Sequence, residues 1–121
     1  MSAVDDWLAR YAQAWRESDD VAAAELFSTD ASYRSDPFGP GLRGRQAIAE
    51  YWRSATAAQS ELDLRIGAAV VDGDRAAAEW RATFNRDGQQ VALAACLILR
   101  FDADGRCSEL REYWRQRVPD A

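Results

Sequence analysis

Between residues 57 and 62 the apolar pattern of this 121-residue chain changes its period, and that change limits what the chain can fold into. Before it, apolar side chains recur at helical spacing. Trp7, Leu8, Tyr11, Ala12 and Trp15 do so over residues 4–17, Val21, Ala24 and Phe27 over 20–27, and Ile48, Tyr51 and Trp52 within RQAIAEYWRSAT. Asp5 and Asp6 fall in the first turn of the first helix, where the dipole favours acids, and Asp19 or Asp20 can cap the second. A short strand, ASYRS, and a Gly- and Pro-rich loop, DPFGPGLRG, lie between the second and third helices.

After the change, Leu62, Leu64 and Ile66 alternate, and four strand-length runs follow: ELDLRIGAAVV, RAAAEWRATFN, QQVALAACLILRF and RCSELREYWRQRV. The breaks between them are DGD, RDG and DADG, hairpin signals that decide the Ala-rich runs as strands rather than helices. Helices followed by a meander of strands argue for an α+β fold. Three N-terminal helices would pack on one face of a strongly curved, mostly antiparallel sheet, as one domain over residues 1–121.

The residue inventory excludes several chemistries. All fifteen basic residues are Arg, and there is no His. Nucleophile–His pairs, Schiff-base lysines and the usual zinc sites are thereby removed, so no metal is expected. No glycine-rich phosphate loop is present, and no cofactor is expected. A net charge of −5 without a basic face argues against nucleic acid. No apolar run approaches bilayer length, and the start of the chain does not read as a secretory signal. Cys96 and Cys107 form no disulfide framework, which fits a reduced, cytoplasmic setting. The abundance of Ala and Arg without Lys suggests a bacterium of high genomic GC content.

The order of these elements, with the stretches LFSTDASY, DPFG, GRQAIAEYWR, LRFDADGR and EYW and the pair Arg10–Tyr11, resembles the nuclear transport factor 2-like superfamily. Within it, the resemblance is to the SnoaL-like and ketosteroid-isomerase-like branch. It implies a cone-shaped roll around one apolar pocket, binding a small hydrophobic molecule, and a homodimer formed through the outer face of the sheet. Val91, Leu93 or Cys96 would supply apolar surface there. It also implies Asp36 as general base, Tyr11 as donor to a developing oxyanion, and Trp114 on the pocket wall. Trp52 stands where the isomerases carry a Tyr, and Leu97 where they place a second, protonated acid.

The residues allow plainer roles. An Asp before Pro is a common turn residue. Tyr11 lies on one helical stripe with Trp7 and Trp15 and can be core. If Trp114 faces the pocket, alternation puts Leu110 and Glu112 on the same face; Glu112 is then a second carboxyl in the pocket, or twist carries it to the rim beside an Arg. Trp80, Phe84, Leu97, Leu99 and Leu110 are expected as inward wall, with Glu79, Arg81 and Cys96 pointing away.

Three functions follow from these readings. The first is proton transfer on a hydrophobic carbonyl compound, with Asp36 as base. The second is epoxide hydrolysis or cyclisation by an Asp36/Glu112 pair. The third is ligand binding without catalysis, which a dry pocket with Asp36 outside it would favour.

Overall fold

A computed structural model describes residues 3–118. Helix α1 spans Ala3–Arg16, α2 Asp20–Glu25 and α3 Arg45–Ala57. The strands are β1 Phe27–Arg34, β2 Leu42–Arg43, β3 Gln59–Ile66, β4 Val70–Asp72, β5 Arg75–Arg86, β6 Gln89–Phe101 and β7 Cys107–Arg117. They form one curled, open sheet in the order β2-β1-β7-β6-β5-β3, with β4 paired to β5. Every pairing is antiparallel except β1 with β7, which is parallel.

Helix α1 forms because its apolar residues share one stripe and its acids lie in the first turn. Trp7, Leu8, Tyr11, Ala12 and Trp15 are all buried. Its end is closed by two backbone bonds, Ser18 N–H to the Trp15 carbonyl and Asp19 N–H to the Ala14 carbonyl, with Ser18 at φ 52°. That is the Schellman arrangement with serine in the left-handed position. Asp19 then caps α2, accepting from the Ala22 N–H at 3.0 Å.

The β5–β6 hairpin turns on Asp87 and Gly88, both at positive φ (52° and 77°). Two consecutive left-handed residues match the twist of the flanking strands, and Asp-Gly tolerates them best. The paired run from Arg75↔Arg100 to Arg86↔Gln89 is unbroken, so the Ala-rich segments are strands, as the turns required.

Several boundaries differ from the sequence expectations. Strand β1 begins at Phe27 rather than Ala31, because Phe27 already pairs with Cys107. The run at 61–71 divides into β3 and β4, since Gly67 leaves the ladder and its N–H bonds the Glu79 carbonyl at 2.8 Å. A bulge at Ser60–Asp63, with Glu61 at φ 55°, bends β3. The two-residue strand β2 had no signature. Val21 is exposed rather than inward.

Along β6 the side chains of Leu97 and Leu99 are buried, with Cys96 and Ile98 on the other face. Val91 is buried, and Leu93 lines the interior cavity. Neither belongs to the outer face, where the sequence reading had put them, because the alternation shares their parity with Leu97. Among the described residues, no helix is long and apolar enough to cross a membrane.

Candidate active site

Inside the curl, α1 and α3 close over the sheet and leave a cavity of about 250 Å³. Strand register orders its sheet wall. Glu112 pairs with Leu97, which pairs with Ala78; next come Trp114, Ala95 and Trp80; then Gln116, Leu93 and Ala82. Trp80 and Trp114 thus flank Ala95 on one face, as expected. Arg86 stands at the far end of β5, beside Gln59 of β3.

The helical wall is aromatic. Tyr11 meets Trp52 edge-on at 5.2 Å between centroids, and Trp15 meets Trp80 edge-on at 4.9 Å. Tyr33, from β1, packs on Tyr51 of α3 at 5.3 Å. These contacts hold the wall rigid at two torsions per ring. The Trp15 indole is also anchored, donating to Gln59 Oε1 at 2.9 Å.

Glu112 is the only carboxyl among the described residues that line this cavity. It is 8% exposed, and its carboxylate has no hydrogen bond or ion pair within the described residues. Burial raises its pKa from 4.5 to about 7. The rim position beside an Arg does not form. Leu97, which stands where the resemblance expects a second acid, is fully buried directly across the ladder from Glu112. Facing Cβ atoms in such a pair lie about 5 Å apart. A carboxyl therefore stands one strand away from the Leu97 position, and it lines the cavity while Leu97 lies beneath it.

The Tyr11 and Tyr33 phenols are buried beside it. Tyr11 is held well above the usual tyrosine range, first by burial and then by the charge on Glu112; its hydroxyl faces that of Tyr33, which partly offsets this. Tyr33 is raised by burial, then by Tyr11 and Glu112. The Trp52 indole N–H lies towards the Tyr33 hydroxyl but short of a full hydrogen bond. Tyr51, nearer the mouth, is raised by burial, while the Ser35 hydroxyl and Arg86 favour its anion.

Asp36 is not brought to this cavity. It is exposed in the turn after β1, where its Oδ1 accepts from the Phe38 N–H at 2.9 Å and its carbonyl accepts from the Gly39 N–H. It borders a larger, open hollow of about 1000 Å³ on the outer face of the sheet. Trp114 stands between the two spaces, its indole donating to the Ser35 carbonyl at 2.6 Å. The placement is that of a turn residue, fixed by a local side-chain-to-backbone bond.

Of the expected wall residues, Trp52, Trp80 and Trp114 line the cavity. Leu97, Leu99 and Leu110 are fully buried in the core beneath it, and Phe84 is buried in register with Val91 beyond it. Glu79, Arg81 and Cys96 border the outer hollow, as alternation required. The sequence reading missed Tyr33, Tyr51 and Arg86. Tyr33 shares its parity with Phe27 and Ala31, so alternation along β1 could have marked it. Arg86 adjoins a turn and carried no signal. Among the described residues, no three acids or cysteines converge as a metal site.

Comparison with known proteins agrees with this architecture. A steroid Delta-isomerase of Nocardioides simplex is 33% identical over 108 residues, covering 88% of this chain and 85% of that protein. The solved structure of SalBIII, described as an epoxide hydrolase/cyclase-like enzyme in pyran ring formation, superposes with a TM-score of 0.82 at 22% identity over 95% of both chains. The Mycobacterium tuberculosis protein RV0760c superposes with a TM-score of 0.86 at 15% identity over 98% of both. The SnoaL-like domain profile matches residues 8–110, and the chain therefore belongs to the SnoaL-like family of the nuclear transport factor 2-like superfamily.

Proposed function

We propose that this protein is a small, cofactor-independent enzyme that moves a proton on a compact carbonyl substrate, with Glu112 as general base and Tyr11 as oxyanion donor. The observation that carries this reading is Glu112 itself: a buried carboxyl without a partner among the described residues, lining an aromatic cavity beside two buried phenols. A base with a pKa near 7 combines adequate basicity with a large deprotonated fraction at neutral pH. Glu112 takes a proton from the carbon next to the carbonyl. The electron pair moves onto the carbonyl oxygen, where the Tyr11 O–H stabilises it. Burial keeps Tyr11 protonated, so it donates a hydrogen bond and not its proton. Glu112 then returns the proton to another carbon, which isomerises the substrate, or to the same one, which exchanges it.

The 33% identity to a steroid Delta-isomerase supports the reaction type. A cavity of about 250 Å³ holds the volume of roughly eight waters, below the usual range for drug-sized ligands. That favours a one- or two-ring substrate. The carboxylate-pair reading for epoxide opening needs Asp36 inside, and Asp36 lies outside. Binding without catalysis was the reading favoured by a dry pocket with Asp36 outside; the buried Glu112 argues against it.

The test is deuterium exchange next to the carbonyl of a cyclic 1,3-diketone, and isomerisation of a β,γ-enone, followed against pH. Catalysis should rise with pH through about 7. Use of Glu112 as an acid would give the opposite slope. Rates that fall with pH, or never exceed those in buffer, would remove the base assignment. In the same assay Asp36→Asn should stay within about twofold of wild type and change stability by less than about 0.5 kcal/mol, since the amide oxygen still accepts from Phe38. A loss of several hundredfold would return the base role to Asp36.

The homodimer is proposed here on the outer face alone. Phe38 is 98% exposed, Tyr113 45% and Trp114 44%, and together they border the outer hollow with Cys96. So much clustered aromatic surface is unusual on a monomer. Light scattering at micromolar concentration should return twice the mass of one chain, and Tyr113→Glu should return a single one.

A further inference from the structure

Two of the five tryptophans, Trp52 and Trp80, have indole N–H groups that are buried without a hydrogen-bond partner. Both line the cavity, at 4% and 3% exposure. The other three indoles are bonded, to the Leu26 carbonyl, Gln59 and the Ser35 carbonyl. The Trp52 N–H lies towards the Tyr33 hydroxyl, and both indole nitrogens are covered by protein, so neither is open to a ligand in the cavity. The polar side chains that a ligand can reach stand at the mouth. Arg86 is half-buried and stacks over Phe84 at 5.0 Å, but among the described residues it has no ion pair or hydrogen bond. Gln59 lies beside it in register, and with its oxygen taken by Trp15 it presents its amide nitrogen. Gln116 lines the same end. The Arg86 guanidinium and the Gln59 amide nitrogen are both donors.

We propose that the substrate is a carboxylate-bearing carbonyl compound that enters acid end last, its carboxylate held at the mouth by Arg86 with Gln59 and its ketone delivered to Glu112 and Tyr11. A guanidinium matches a carboxylate with two parallel N–H donors. Stacking on Phe84 restricts the side chain, so little freedom remains to be lost on binding. Depth separates the two negative groups: Arg86 stands at the end of β5, while Glu112 lies in the row of Ala78.

This inference rests on the reading of the cavity as the substrate site, yet the two fail separately. Calorimetric titration compares 6-hydroxy-2-naphthoate with 6-hydroxy-2-naphthamide, which share a shape and a hydroxyl end and differ in charge at the other. Wild type should bind the carboxylate roughly five- to tenfold more tightly, a modest factor because the mouth is partly solvated. The preference should shrink as salt is raised from 0.05 to 0.5 M (nominal test concentrations), disappear in Arg86→Gln, and persist in reduced form in Arg86→Lys. Arg53→Gln, in an exposed pair with Asp20 away from the cavity, should retain it. Equal binding of the two probes, no binding of either, or a preference that survives Arg86→Gln overturns the proposal. A Glu112→Gln protein that keeps the carboxylate preference but also keeps full proton exchange would instead sink the base assignment and leave Arg86 standing.

Discussion

Glu112→Gln is expected to lower kcat/KM for proton transfer by about 10²–10⁴ and to erase the pH dependence centred near 7. The amide keeps the size and planarity of the carboxyl but cannot accept the substrate proton. The same change should make the protein more stable, and only on one side of a pH window. In the folded chain the Glu112 pKa is raised by burial from 4.5 to about 7, so the folded state binds the proton more tightly than the unfolded state does. Below about pH 4 the acid is protonated in both states and contributes no difference. As pH rises through the window, the unfolded chain ionises first and gains on the folded one. Above pH 8 the penalty reaches about 3 kcal/mol, at about 1.4 kcal/mol per pH unit. Gln carries no charge but still buries an amide, which returns part of that gain. Urea unfolding should therefore show Glu112→Gln more stable by about 1–3 kcal/mol at pH 8 and by little at pH 4. A variant that gains nothing at pH 8 would show that the carboxyl is solvated, and the base assignment would lose its physical ground.

Tyr11→Phe is expected to reduce kcat by about 10²–10³, the usual loss for one oxyanion donor, with a much smaller change in KM. The ring remains stacked on Trp7 at 5.4 Å and edge-on to Trp52, so the cavity keeps its shape. The pH profile should keep its midpoint near 7, because the base is untouched. That unchanged midpoint separates loss of a donor from collapse of the wall, which would shift the profile or raise KM. Tyr33→Phe should cost less, about tenfold, if it acts by orienting and polarising the Tyr11 hydroxyl. Steady-state kinetics of both variants against pH decide the order. A larger loss in Tyr33→Phe would make Tyr33 the primary donor.

What the chain states locally, the sequence alone determined. The helical stripe of Trp7, Tyr11 and Trp15, the Asp19 cap, the Asp87–Gly88 turn and the alternation along β5, β6 and β7 each depend on neighbours a few residues away. They were enough to name an α+β fold with helices on a curved sheet and to put Leu110, Glu112 and Trp114 on one face of a strand. Which carboxyl the fold buries is a different kind of question. Asp36 carries every local mark of a functional loop, yet its side chain folds back on the Phe38 N–H and the turn runs outside the cone. Glu112 carries no local mark beyond parity. Its burial comes from Leu97 across the ladder and from Tyr11, Trp15 and Trp52 on helices far away in sequence. Desolvation is a sum over whatever the folded chain gathers around a group, so the raised pKa, the buried indoles and the half-buried Arg86 at the mouth exist only once the sheet has curled. The tertiary structure decided which carboxyl is buried in the cavity, because closure of that curl determines which polar groups lose water and which keep it.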